Sequence, residues 1–176
     1  VKHGSGYTVR DFREAGNASL LPEVVLLAVE QGHAREVVED LLRMRRHLAG
    51  ALFERLCLHP PAPERVAQVR AAIARFEACA DAGGDAVALA QADSDVLAAV
   101  LAATESVVLQ LSLNPIRAVL LALPSLCAAM FREPAANVAG WSVLASWMET
   151  PGGDAGPIVE LLASRDAQTL VHWRQS

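Results

Sequence analysis

The stretch AREVVEDLLRMRRHLAGALFERLCL, residues 34 to 58, decides the fold class. Within it Val38, Leu42, Ala49, Leu52 and Leu56 recur at intervals that place them on one face of an α-helix, with charged residues on the other side. No proline interrupts the pattern, so one long helix is predicted. The segment His59-Pro-Pro-Ala-Pro63 ends it, because proline lacks the amide hydrogen and clashes with the preceding turn. Beyond it Val66, Val69, Ile73 and Phe76 form a second stripe that stops near Gly83-Gly84. These two helices are expected to form an antiparallel pair.

Working outward, Asn17-Ala-Ser19 opens a helix with Ser19 as its N-cap and Pro22-Glu23 in the first turn, and Gly32 stops it. Asp85 can cap a helix carrying Leu89, Val96, Leu97 and Val100, which continues past Thr104 into the apolar run Val107 to Phe131. Pro115 and Pro124 are expected to bend or break that run. A helix buried all round belongs at the centre of a bundle, and this run is the candidate. Val138 to Glu149, the loop Pro151-Gly-Gly-Asp154, and Ile158 to Arg174 complete the chain. The predicted architecture is an all-α antiparallel bundle of about six to seven helices.

Composition agrees and excludes several functions. The 176 residues are 53% hydrophobic but only 5% aromatic, a balance suited to one domain of closely packed helices. The net charge is −5, and the Lys and Arg residues are dispersed, so the chain itself carries no footprint for nucleic-acid phosphates. Cys57, Cys79 and Cys127 fit neither a disulfide framework nor a zinc knuckle, and are read as reduced core residues of a cytoplasmic protein. No secretory leader is visible. Val107 to Phe131 is the one apolar run that suggests a membrane span. Inserting Arg117 near its centre would cost roughly 2.5–3.5 kcal/mol, so a buried, kinked helix is expected instead.

Two charges sit where the periodicity calls for apolar residues: Arg45 between Leu42 and Ala49, and Asp93 between Leu89 and Val96/Leu97. Burial of either demands a partner. Either they satisfy each other or local backbone as a structural pair, or they line a ligand cavity, where an arginine offers a fork to a carboxylate or phosphate. His3, His33, His47, His59 and His172 lie near ends or on polar faces, none at ligand-forming spacing. No nucleophile elbow, Cys-His signature or paired-histidine metal motif is present, so no catalytic residue is assigned. Trp141, Trp147 and Trp173 are read as core or dimer contacts, with Trp173 reserved as a pocket residue.

Several segments together resemble a known family. His3-Gly-Ser-Gly-Tyr-Thr-Val-Arg-Asp11-Phe12 looks like the last strand of a GntR-family winged-helix wing and the linker after it. Phe12 to Pro22 resembles the start of the effector domain in FadR-subfamily members, and Leu41-Leu-Arg-Met-Arg45 resembles that domain's Leu-Leu-x-x-Arg helix. Asp93 through Ala102-Ala-Thr-Glu-Ser106 resembles a stretch that reads Asp, a Phe-His pair and Ala-Ser-Gly-Asn. The resemblance implies a remnant of wing and linker at residues 1 to 12, lacking most of the DNA-binding module. Residues 13 to 176 would be a FadR C-terminal (FCD) domain for effector binding and dimerisation.

It also implies a regulator rather than an enzyme: a cytoplasmic homodimer, not membrane-bound, sensing a fatty acyl-CoA or a small carboxylate, with DNA contacted only through the preceding winged helix. Relatives that hold a metal use an Asp and several His. Asp93 matches the acid, but Leu97 stands where the first His is expected and the last two helices supply none, so no metal or other cofactor is expected. By the same comparison Arg45 matches an arginine associated with the effector site. Trp173 falls on a tryptophan near the ligand, and Arg165 on a tyrosine of the same last helix. Arg45, Asp93, Arg165 and Trp173 are therefore the candidate ligand-binding residues.

Overall fold

The computed structural model describes residues 10 to 173. The hairpin end expected at His3 to Val9 lies outside them. Among the described residues there are nine α-helices and no strand: α1 (Phe12–Ala15), α2 (Leu21–Glu30), α3 (Ala34–Leu58), α4 (Pro63–Asp81), α5 (Ala86–Ala103), α6 (Val107–Ala122), α7 (Pro124–Met130), α8 (Pro134–Glu149) and α9 (Gly156–Trp173). The all-α bundle is as the periodicity predicts. The count exceeds six to seven because α1 is a single short helix and the apolar run divides.

Most helix ends carry an identifiable signal. Asp85 caps α5 by accepting from the Ala88 amide at 2.8 Å. α4 closes with a Schellman pair: Gly83, at φ +71°, donates to the Ala80 carbonyl and Gly84 donates to that of Cys79. Ser19 is not the cap expected of it. Asn17 takes that place, its Oδ1 accepting from the Ser19 amide and hydroxyl, and a short 3-10 turn, Ala18–Leu20, precedes α2.

The chain also breaks after α5, where a continuous helix was expected. Glu105 turns it at φ 52°, with its amide on the Ala102 carbonyl, and Ser106 starts α6 by accepting from the Leu109 amide. Glu105 occupies the third position of the stretch that reads Ala-Ser-Gly-Asn in the resembling family, the one filled there by glycine. Pro115 does not break α6, which runs through it from Val107 to Ala122. The carbonyl it leaves without a donor belongs to Leu111, an exposed residue whose backbone can meet solvent. Pro124, at the first position of α7, makes the real break, and the axes of α6 and α7 differ by 100°.

α3 and α4 do not form the antiparallel pair expected of them. α4 lies closest to α5 and α8, and α3 to α2, α6 and α9. The linker between them is extended, with ψ of 82° at His59 and 147° at Ala62, and carries the chain to where α4 meets α5 and α8. A single core runs through every helix from α2 to α8, with Phe76, Leu42, Leu56, Leu126 and Met148 fully enclosed and α9 packed against it. α7 buries Leu126, Cys127, Ala129 and Met130 and exposes Pro124, Ser125 and Ala128. α6 is not buried all round, since Val107, Val108 and Leu111 are each at least 65% exposed. One described helix, α5, is long and apolar enough to cross a membrane, and it packs between α4 and α6 as a core element. Cys127 lies in the core as expected and Cys79 at its edge, but Cys57 is exposed.

Candidate functional site

Six helices, α3 and α5 to α9, line a partly open cavity of about 160 Å³. Helical spacing brings its walls together: Arg45, Ala49 and Leu52 on α3; Asp93, Leu97 and Val100 on α5; Leu113, Arg117 and Leu120 on α6; Ile158, Leu162, Arg165 and Thr169 on α9. On each helix these residues recur every three or four positions, so one face of each is turned inward. α8 adds Asn137, Gly140 and Trp141. The wall is mainly aliphatic, with three guanidinium groups and one carboxylate set into it.

Arg45 and Asp93 both line the cavity but do not pair. The Arg45 Nη2 donates to Oδ1 of Asp166 on α9, and Arg46 Nη1 donates to the other oxygen of the same carboxylate at 2.7 Å. Asp166 is 1% exposed and holds two arginines of α3, a charge-assisted clamp between the two helices. The Arg45 Nε is buried without a hydrogen-bond partner.

Asp93 Oδ1 instead accepts from the Trp141 indole at 2.6 Å. Burial pushes the Asp93 carboxyl above the ordinary carboxylate range, against the opposing pull of the Trp141 hydrogen bond and the Arg45 charge. Cys127, whose thiol donates to the Leu120 carbonyl at 2.8 Å, is also raised, first by burial and then by the Asp93 charge.

Arg165 faces the cavity and is occupied: it donates to Asn137 Oδ1 at 2.5 Å, Gln168 Oε1 at 3.0 Å and the Glu133 carbonyl at 3.4 Å. Trp173 is not part of the wall. It lies eight residues past Arg165, about 12 Å along the helix axis, and its indole donates to Ser125 Oγ at 3.0 Å beside α7. Thus three of the four expected residues meet in one cavity and Trp173 sits beyond its end.

Sequence reasoning missed three contributors. Asp166 lies four residues from both Leu162 and Leu170, so it is a charge on an apolar stripe, the same sign that marked Arg45 and Asp93. Arg117 was visible as a charge within an apolar run, weighed only against membrane insertion. Trp141 carried no signal that separated it from the other tryptophans. Among the described residues no group of three His, Cys, Asp or Glu could hold a metal ion, and Leu97 presents a methyl-bearing wall beside Asp93.

An all-α bundle with a mainly aliphatic cavity between its helices and a few charged side chains set into the wall has the form of a small-molecule binding domain. The FCD domain model matches residues 40–151. The chain belongs to that family, the C-terminal effector-binding domains of GntR-type transcription regulators. No curated protein and no solved structure gives a match.

Proposed function

We propose that the chain is the sensing part of a bacterial GntR-type regulator of the FadR subfamily, and that it binds a small carboxylate in the intra-bundle cavity without a metal. The observation that carries this reading is the set of three guanidiniums, from Arg45, Arg117 and Arg165, on an otherwise aliphatic wall with a single carboxylate. An anion entering there meets positive charge held in place by the helices. Of the two effector types expected, the cavity volume favours the small acid. About 160 Å³ is close to the size of a cavity that holds benzene and below the range for drug-sized ligands, whereas an acyl-CoA is larger still.

The cavity joins α3 to α9 through the Asp166 clamp, so a bound anion that changes the pose of Arg45 acts directly on the contact between those helices. In the full regulator such a shift would bias the two DNA-binding modules of a cytoplasmic homodimer, a change of population rather than chemistry. Exposed apolar side chains on the packed pair α2 and α6, Val29, Val107, Val108 and Leu111 among them, support the dimer.

Thermal-shift screening of small carboxylates and acyl-CoAs, repeated on Arg45→Ala, tests the reading. A ligand at a hundred times its Kd contributes about 2.7 kcal/mol, or roughly 5 to 11 °C for a domain of this size. No shift with any carboxylate at millimolar concentration would contradict it.

A further inference from the structure

We propose that Arg117 is the anchor for the ligand's carboxylate, and that the ligand is a compact monocarboxylate with an apolar body, aromatic or branched. The proposal rests on the cavity being an effector site and deepens that reading.

The three cavity arginines are not equivalent. Arg45 spends its Nη2 on Asp166, and its Nε is sealed from solvent and from the cavity. Arg165 is held by Asn137, Gln168 and the Glu133 carbonyl. Arg117 is half-buried, lines the cavity, and forms no hydrogen bond or ion pair with any other described residue. A partly exposed guanidinium in a mainly aliphatic wall, held by no other described side chain, can turn its fork to a carboxylate without breaking an existing contact. On the same helix Leu113, Ile116 and Leu120 flank Arg117, so the body of the ligand meets hydrocarbon.

The remaining polar groups limit that body further. Asn137 Oδ1 accepts from Arg165, the Thr169 hydroxyl donates to the Arg165 carbonyl, and one Asp93 oxygen accepts from Trp141. This leaves the second Asp93 oxygen, the Ser94 hydroxyl and the Asn137 amide nitrogen to meet a ligand. A polyhydroxy acid would bury several hydroxyls without partners, each at a loss of affinity. A second carboxylate would have no free cation and would face Asp93.

Calorimetric titration of the whole chain with benzoate and 3-methylbutanoate, alongside gluconate, citrate and the neutral benzamide, tests this. Arg117→Met and Arg117→Lys are compared with wild type, and each variant is first checked for unchanged helicity and melting. The expected result is binding of an apolar acid to wild type, a loss of at least tenfold in Arg117→Met with partial recovery in Arg117→Lys, and no effect of either variant on benzamide. Apolar-acid affinity within twofold of wild type in Arg117→Met would overturn Arg117 as anchor, and tighter binding of gluconate or citrate would overturn the apolar class. Either result leaves the effector cavity standing. Failure of every acid to bind wild type would overturn the proposal together with the cavity reading.

Discussion

Replacing Asp166 by alanine removes the one acceptor that holds both Arg45 and Arg46. The carboxylate is 2% exposed, and the two guanidinium side chains are 18% and 28% exposed, so all three groups are largely withdrawn from water. Removing one partner of a buried ion pair costs about 3–5 kcal/mol, because the charge left behind has lost its solvent and its partner. Both arginines retain some exposure and can swing outward, which places the expected cost near the low end, at about 3 kcal/mol. For a domain of this length that corresponds to a fall in Tm of roughly 6 to 12 °C.

Arg45→Met leaves Asp166 bound to Arg46 and loses one charge-assisted hydrogen bond, about 1.5 kcal/mol and roughly half the shift. Differential scanning calorimetry of the three proteins at neutral pH measures both quantities. A fall below 2 °C in Asp166→Ala, or a larger fall in Arg45→Met than in Asp166→Ala, would refute the clamp as the main charge contact between α3 and α9.

Other outcomes follow from single positions. Burial raises the Asp93 pKa in the folded chain above its ordinary 3.8, so folding favours the protonated form; the stability linked to it is full below 3.8 and is lost as pH rises through the folded value. Asp93→Asn, which keeps an acceptor for Trp141, should therefore melt higher than wild type at pH 7, with the gap closing toward pH 4; a constant gap across that range would argue against it. Glu105→Gly relieves a left-handed residue at φ 52° and should raise Tm by about 2 to 4 °C, a gain of about 1 kcal/mol, while a fall would mean the Glu105 side chain has a stabilising role. Gly140→Ala adds a methyl that meets Leu161 Cδ2 at 3.8 Å, an ordinary contact, and replaces a helix-interior glycine. It should stabilise the unliganded chain by about 1 kcal/mol and weaken acid binding by narrowing the cavity, effects that melting and titration separate.

The main helices were legible because their stripes are long and their stops are chemical. α3 runs from Ala34 to Leu58 as its spacing predicts, and Pro63 and Gly83 bound α4. The turn at Glu105 was not legible: no glycine or proline marks it, and the apolar pattern continues on both sides. Nor was the tolerance of Pro115, which depends on the exposure of Leu111, a tertiary property. Arg45 and Asp93 declared themselves by breaking a stripe, but a stripe gives only the face on which a charge lies. Which acceptor meets Arg45 depends on the approach of α9, 121 residues along the chain, and periodicity within one helix carries no information about that. The displacement of Trp173 from the cavity has the same origin, since it follows from where α9 ends relative to α7.

A crystal structure of the chain soaked in benzoate or 3-methylbutanoate tests the central claim most directly. Difference density is expected inside the bundle, with the carboxylate on Arg117 and the hydrocarbon among Leu113, Ile116 and Leu120. A cavity that stays empty at saturating acid, or acid bound only on the outer surface, would contradict it.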